Sequence, residues 1–317
     1  MTVGRFEIRL MTEADADTVR HIDQSAFGDW MHRRGHGEPM PLRTRANVLS
    51  LWSRDPQGCF VAEVEGRAVG YVFSRTWGRV GWFGTLGVHP RFQGRSIGRA
   101  LVHASVKYLD WRGCTTIGLG TMPEEPKNVG LYARCGFRPD HLTVILAWAA
   151  APASRLPAYT LFSELPSQER DRLLQDALPR ISGEARPGLD YSPEVRAAAV
   201  DGYGETLLLG DPGDPWGFAV VRTRPKWEDR PLGTFNVEAG VLAAGEEDRL
   251  GDLLALLADF AARRGVTRVL LPVNGYHWPA LERLLALGCR AIHTRLRMIL
   301  RQEPARPSSV DLSTWAA

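Results

Sequence analysis

An α/β fold built twice is what this sequence predicts, on three observations. Short runs alternate apolar and polar residues at strand spacing, as in Phe6 to Leu10, while others repeat at helical spacing, as in Ile97, Leu101, Ala104 and Tyr108. The order of these runs in the first half returns in the second. Between the halves lies Ala149-Ala-Ala-Pro-Ala-Ser-Arg-Leu-Pro157, small and proline-bearing like a linker. A chain of 317 residues is also long enough for about two domains.

The first half reads in order. Phe6 to Leu10 is a strand. Thr12, with Asp15 three residues on, caps a helix running to about Ala26. Residues 27–50 are irregular and polar at first, then helical to about Trp52. Cys59 to Val64 and Ala68 to Thr76 form a hairpin around Glu65-Gly66-Arg67. A strand ends at Val88, a helix runs to about Trp111, and Thr115 to Thr121 is a strand. A short helix over 128–134 precedes a strand through Leu142 to Trp148.

The second half echoes it. Gly70-Tyr-Val-Phe-Ser-Arg-Thr76 matches Gly217-Phe-Ala-Val-Val-Arg-Thr223, and Gly87-Val88 matches Gly240-Val241. Cys135-Gly-Phe-Arg138 matches Leu287-Gly-Cys-Arg290, and Thr143-Val-Ile-Leu146 matches Arg297-Met-Ile-Leu300. The expected domains are 1–148 and 158–303, with a linker at 149–157 and a loose tail at 304–317 that carries Pro304, Pro307, Ser308 and Ser309.

Composition narrows the class. The 44% hydrophobic and 24% charged fractions are those of an ordinary soluble protein. A net charge of +3 is too small to argue for nucleic acid. Cys59, Cys114, Cys135 and Cys289 show neither C-x-x-C pairs nor zinc spacing, so they read as reduced thiols in a cytoplasmic protein and no metal is expected. No signal peptide is indicated, and no run approaches membrane-span length.

The most informative stretch is Leu86-Gly-Val-His-Pro-Arg-Phe-Gln-Gly-Arg-Ser-Ile-Gly-Arg-Ala-Leu101, which reads as a strand end, a turn and a helix start. Gly94 and Gly98 let backbone come close to a ligand. The turn's N–H groups and the positive helix end make an anion site, with Arg91, Arg95 and Arg99 adding charge. Alone these arginines read as a solvated helix edge. With the glycine and glutamine spacing they read as a pyrophosphate site.

This stretch resembles the acyl-CoA loop of the GNAT superfamily of acyl-CoA-dependent N-acyltransferases. The family pattern, Gln or Arg, two residues, Gly, one residue, Gly or Ala, falls on Gln93, Ser96 and Gly98, with Ser96 where the first Gly is usual. Asn128-Val-Gly-Leu-Tyr-Ala-Arg-Cys-Gly-Phe137 resembles the family's helix, turn and strand start that close the CoA groove. The resemblance implies, for each half, a mostly antiparallel twisted sheet flanked by helices. It implies an acyl-CoA co-substrate, most simply acetyl-CoA, bound by Leu86, Gly87, Val88, Arg91, Gln93, Gly94, Arg95, Ser96, Ile97, Gly98, Arg99 and Asn128. It makes Tyr132 the general acid that reprotonates the leaving thiolate, against a plain packing role. Asn128 reads equally as a pantetheine contact or a helix cap. The backbone N–H of Val88 or a neighbour would hold the oxyanion.

No general base is assigned. Gly81-Trp-Phe-Gly-Thr-Leu-Gly-Val88 has no carboxylate; Glu124 and Glu125 are the nearest candidates for a base, against the commoner reading as surface-turn carboxylates, and His89 is a further candidate or a plain strand-end histidine. Residues 28–41, with Trp30, His32, Arg33, Arg34 and His36, stand where the family's acceptor loop lies, or are an exposed basic loop. In the second half, Gly245-Glu-Glu-Asp-Arg-Leu-Gly251 replaces the phosphate turn, Leu284 stands for Tyr132, and Ala280 for Asn128. Carboxylates there would repel pyrophosphate, so the second copy reads as degenerate and non-catalytic. The expected protein is an N-acyltransferase, most simply an N-acetyltransferase, acting on a small-molecule or peptide amine. The alternative is an acyl-CoA sensor or interaction protein. No membrane or nucleic-acid partner is expected, and a homodimer is compatible with the sequence.

Overall fold

Among the described residues, both halves of the chain contribute to one continuous sheet of thirteen strands. The computed structural model describes residues 6–35, 37–230, 232–303 and 309–315. The first half comprises β1 (Glu7–Leu10), α1 (Ala16–Arg33), α2 (Arg45–Ser53), β2 (Cys59–Val64), β3 (Arg67–Trp77), β4 (Val80–Val88), α3 (Ile97–Trp111), β5 (Thr116–Thr121), α4 (Pro126–Arg134) and β6 (Arg138–Ala149). The second comprises β7 (Tyr159–Leu161), α5 (Ser167–Gln175), α6 (Ala177–Ala185), α7 (Ser192–Val200), β8 (Gly204–Asp211), β9 (Asp214–Arg222), β10 (Thr234–Leu242), α8 (Leu250–Ala262), β11 (Arg268–Asn274), α9 (Trp278–Ala286), β12 (Arg290–Arg301) and β13 (Val310–Asp311).

Local chemistry accounts for the boundaries. Thr12 and Asp15 form a reciprocal capping box ahead of α1. Glu65 and Gly66 both have positive φ, the geometry that turns a two-residue hairpin between β2 and β3. Thr44 caps α2, its hydroxyl accepting from Asn47 N at 3.1 Å. α1 does not stop near Ala26 but continues to Arg33, held at its end by the Asp29–Arg33 ion pair.

The halves exchange strands. The sheet order is β1-β2-β3-β4-β5-β12-β6-β11-β10-β9-β8-β7, with β13 added on β10. β12 of the second half lies between β5 and β6, and β6 of the first lies between β12 and β11. Each half's last long strand thus completes the other's sheet. Among the described residues, the only parallel pair within each half is the corresponding one, β4 with β5 and β10 with β11.

Helices cover both faces. Leu101, Val102 and Leu109 of α3 pack with Ile117, Leu119 and Phe137 on one face of the first half, while Val19, Ile22, Val48 and Leu51 pack on Tyr71 and Phe73 on the other. The three helices between β7 and β8 were not resolved by the sequence reading. They bury Leu178, Ile181 and Val195 against Trp77, Val80 and Trp82 of the first half, so one core spans both units. No helix among the described residues is long and apolar enough to cross a membrane.

The loose tail expected at 304–317 is corrected over 309–315. β13 pairs with β10 at Val241 and Leu242, and Trp315 is 2% exposed between Trp82, Arg186 and Arg297. Asp311 accepts hydrogen bonds from Tyr191 and Ser313 at 2.8 and 2.9 Å. The prolines suggested looseness, but the apolar and polar partners of Val310 to Trp315 lie elsewhere in the chain, beyond the reach of a local reading. Residues 304–308 and 316–317 lie outside the described residues.

Candidate active site

β4 and β5 run side by side only from Val80 to Phe83 and from Thr116 to Leu119. Beyond these pairs a cleft of about 360 Å³ opens between them, its wall formed by Leu86, Gly87 and Val88 of β4 and its floor by Met122 after β5. A parallel pair that parts in this way leaves strand-edge N–H and C=O groups available to an extended ligand.

The turn after β4 forms the mouth. Gln93, Gly94, Ser96, Ile97, Gly98 and Arg99 line it. Gly94 has φ +76° and Ser96 φ +65°, so the serine in the usual glycine position adopts the left-handed conformation a glycine would take. That conformation costs a serine about 1–2 kcal/mol. Ser96 O accepts the first helical bond of α3, from Ala100, and the N–H groups of Ile97, Gly98 and Arg99 begin the helix without intrahelical partners. They are ready-made donors for a phosphate. A Cβ on Gly98 would meet only Leu131 Cδ2 at 3.5 Å and Val88 Cγ2 at 3.9 Å, so its absence keeps the cleft open and relieves no clash.

The expected site residues separate into groups. Leu86, Gly87, Val88, Gln93, Gly94, Ser96, Ile97, Gly98, Arg99 and Asn128 are brought together around the cleft. Arg91 and Arg95 are exposed and outside its lining, and Arg95 stacks on Phe92 with its guanidinium 5.2 Å from the ring centre. Gln93 joins two elements: its Nε2 donates to Val88 O at 3.0 Å and its Oε1 accepts from Lys127 Nζ at 2.6 Å. Tyr132 is 8% exposed, sits edge-on to Phe83 and Phe137, and lies one position beyond Leu131, which lines the cleft. Burial, and secondarily Cys135, pushes its phenol well above the ordinary value, so it carries its proton throughout the neutral range.

Ala26 and Phe27 of α1 and Lys127, Leu131 and Arg134 of α4 line the cleft without having been singled out in the sequence, whereas Trp30 and Arg33, expected in an acceptor loop, line it from α1. Positions 127, 131 and 134 share a helical face with Asn128, and that periodicity was the available signal. Residues 28–33, expected as irregular loop, are helical, which carries Trp30 to the cleft; His36 lies outside the described residues. Glu125 is no surface-turn carboxylate: it is 6% exposed, lines the cleft, and lies 3.8 Å from Arg34 and 4.0 Å from Arg33.

The corresponding place in the second half is built differently. Asp248 is ion-paired with Arg283, and Glu246 with Arg249 at 2.7 Å. The edge of β10 at Gly240 to Leu242, which corresponds to β4 at Gly87 and beyond, is covered by the chain's own β13, and Leu312 N donates to Gly240 O at 2.8 Å.

Residues 17–137 match the family model described as acetyltransferase (GNAT) family. A mycothiol acetyltransferase of Stackebrandtia nassauensis is 33% identical over 140 residues, covering 42% of this chain and 42% of that protein, so the likeness spans under half of that relative's length. A putative acetyltransferase from Pyrococcus horikoshii superposes with a TM-score of 0.70 at 18% identity, over 98% of this chain and 95% of that one. A tandem GNAT protein from the clavulanic acid biosynthesis pathway superposes with a TM-score of 0.59 at 17% identity, over 95% and 100%. These superpositions establish the fold: a mixed α/β sheet in two GNAT-like units.

Proposed function

We propose that this protein is an acyl-CoA-dependent N-acetyltransferase that moves an acetyl group from acetyl-CoA to a primary amine by direct attack. The observation that carries the reading is the cleft between β4 and β5. It joins a strand edge to a helix start with free N–H groups, inside the segment that matches the GNAT family model. The pyrophosphate would lie against the N–H groups of Ile97, Gly98 and Arg99, and the thioester against the β4 edge near Val88. The amine nitrogen forms a bond to the acetyl carbon, the C–S bond breaks, the departing thiolate takes a proton from Tyr132, and the proton shed by the amine passes to water, from which the Tyr132 phenolate is reprotonated. Burial raises the Tyr132 phenol, which keeps it protonated in the resting site and unsuited to act as a base there, while also making it the weaker acid toward the thiolate.

The second half is read as non-catalytic. Its phosphate turn carries ion-paired carboxylates, and its β10 edge is already filled by β13. A CoA arm would have to displace Val310 to Leu312, of which Val310 and Leu312 are 2% and 0% exposed. Thiol release from acetyl-CoA, measured over a panel of amines, amino acids, aminoglycosides and peptides, tests the reading. Release that depends on one amine class is expected. Tight acetyl-CoA binding without turnover on any class would favour an acyl-CoA sensor.

A further inference from the structure

The β4 cleft suits a polyanion, with one exception. Of the charged side chains that line it, Arg33, Arg99, Lys127 and Arg134 are cations, and Glu125 is the one anion among the described residues. The four cations are exposed, whereas Glu125 is buried. A buried carboxylate beside the path of a phosphate-bearing ligand weakens its binding through like-charge repulsion. CoA therefore gives no reason for Glu125.

α4 sorts the two ends of the cleft. Lys127, Leu131 and Arg134 recur at helical spacing. Lys127 Nζ donates to Gln93 Oε1, and Leu131 is the side chain that a Cβ on Gly98 would meet first, so this face turns to the phosphate turn. Tyr132 lies on the other side of the helix, against Phe83 of β4. Glu125, the N-cap of α4, stands seven residues before Tyr132 and so in line with it. Its other neighbours come from the end of α1, Arg34 at 3.8 Å and Arg33 at 4.0 Å. Glu125 thus faces α1 on the Tyr132 side of α4, away from the phosphate turn.

Its hydrogen-bonding capacity is unspent. Both arginine contacts are beyond hydrogen-bond reach, and no donor meets the carboxylate among the described residues. Arg33 already gives its Nε to Asp29 at 3.0 Å. The charge of Glu125 is balanced, but its lone pairs are not used. A buried acceptor without donors is costly, and a primary ammonium brings three donors with a charge.

We infer that Glu125 receives the acceptor's nitrogen, and that the acceptor is an alkylamine that arrives as ammonium rather than an arylamine, which is neutral at pH 7. The inference rests on the N-acetyltransferase reading. The ammonium gives one proton to water and attacks as the amine. One of its remaining N–H groups still donates to Glu125, which turns the lone pair away from the carboxylate and toward the thioester. The proton shed once the C–N bond forms also leaves to water.

Two arms on the full-length chain test it, with Glu125→Gln, which removes the charge at the same size, and Glu125→Asp, which keeps it. In the first, thermal unfolding is followed with saturating CoA while the alkylamine, amino-acid, aminoglycoside and peptide panel is added as chloride salts against sodium chloride at equal ionic strength, with aniline as the neutral control. At least one ammonium should raise the midpoint, aniline should not, and the rise should be lost in Glu125→Gln. In the second, thiol release on any amine that is used should fall about tenfold or more in kcat/KM in Glu125→Gln, chiefly through KM, as expected when a charge-assisted hydrogen bond becomes a neutral one. Glu125→Asp should recover part of it. Acetyl-CoA affinity should be equal or tighter in Glu125→Gln, an outcome that a merely structural carboxylate does not give. A thermal response or a kcat/KM that survives in Glu125→Gln, aniline used as well as the alkylamines, or weakened acetyl-CoA binding overturns the assignment. A thermal response lost in Glu125→Gln, with no thiol release from any amine, leaves the ammonium site standing and removes the enzyme reading instead. Neither response in the unaltered protein removes both.

Discussion

At the scale of single residues, Tyr132 carries the sharpest expectation. Its side chain is packed among Phe83 and Phe137, so Tyr132→Phe keeps those ring contacts and removes only the hydroxyl. The variant should fold normally and bind acetyl-CoA with unchanged affinity, while kcat falls by about 100-fold, the lower end of what a positioned acid contributes. Stopped-flow thiol release together with calorimetric acetyl-CoA binding checks this; an unaltered kcat would return Tyr132 to a packing role. The residues around the phosphate turn were legible because glycine spacing states a backbone requirement directly, and Ser96 in a left-handed conformation meets that requirement without being glycine. Phe27 was not legible, nor was the helical setting of Trp30, which depends on α1 continuing past Gly28, nor the burial of Glu125, which depends on Arg33 and Arg34 reaching it from the remote end of α1.

At the scale of elements, the C-terminal segment is the main departure from the sequence reading. Trp315 stacks on Arg297, whose guanidinium carbon is 4.0 Å from its ring centre, and meets Trp82 edge-on at 5.0 Å. Trp315→Ala should destabilise the protein by about 3–5 kcal/mol, the usual cost of emptying a buried tryptophan site. Chemical denaturation should show the midpoint moving with little change in slope. A change below 1 kcal/mol would mean that the segment is held by β13 alone. The strands and most helices were readable because periodicity of two or of about 3.6 survives in a single sequence. Val310 to Trp315 offered no such period: two residues of strand pairing and one tryptophan give no pattern, and their partners are remote.

At the scale of the whole molecule, duplication was legible and strand exchange was not. β6 and β12 each carry strand patterning, and that pattern is satisfied equally by a neighbour from either half. Because β12 is the partner of both β5 and β6, residues 1–157 produced alone would leave those strands with open edges. They would also expose Trp77, Val80 and Trp82, which α5, α6 and α7 cover. Such a fragment is expected to aggregate or to lack a cooperative thermal transition, and a soluble, cooperatively folded fragment would show that the exchange is dispensable. Function is accordingly tested on the intact chain.

The central claim is that two similar halves make one working acyl-CoA site, the β4 cleft. Calorimetric titration of the full-length protein with acetyl-CoA tests it most directly, with Gly98→Ala and Gly98→Leu measured alongside. The account predicts one site per chain. Affinity should be reduced but measurable in Gly98→Ala, whose Cβ has room, and lost in Gly98→Leu, whose side chain would fill the approach to the α3 N–H groups. Two sites per chain, or unchanged binding in Gly98→Leu, would contradict it.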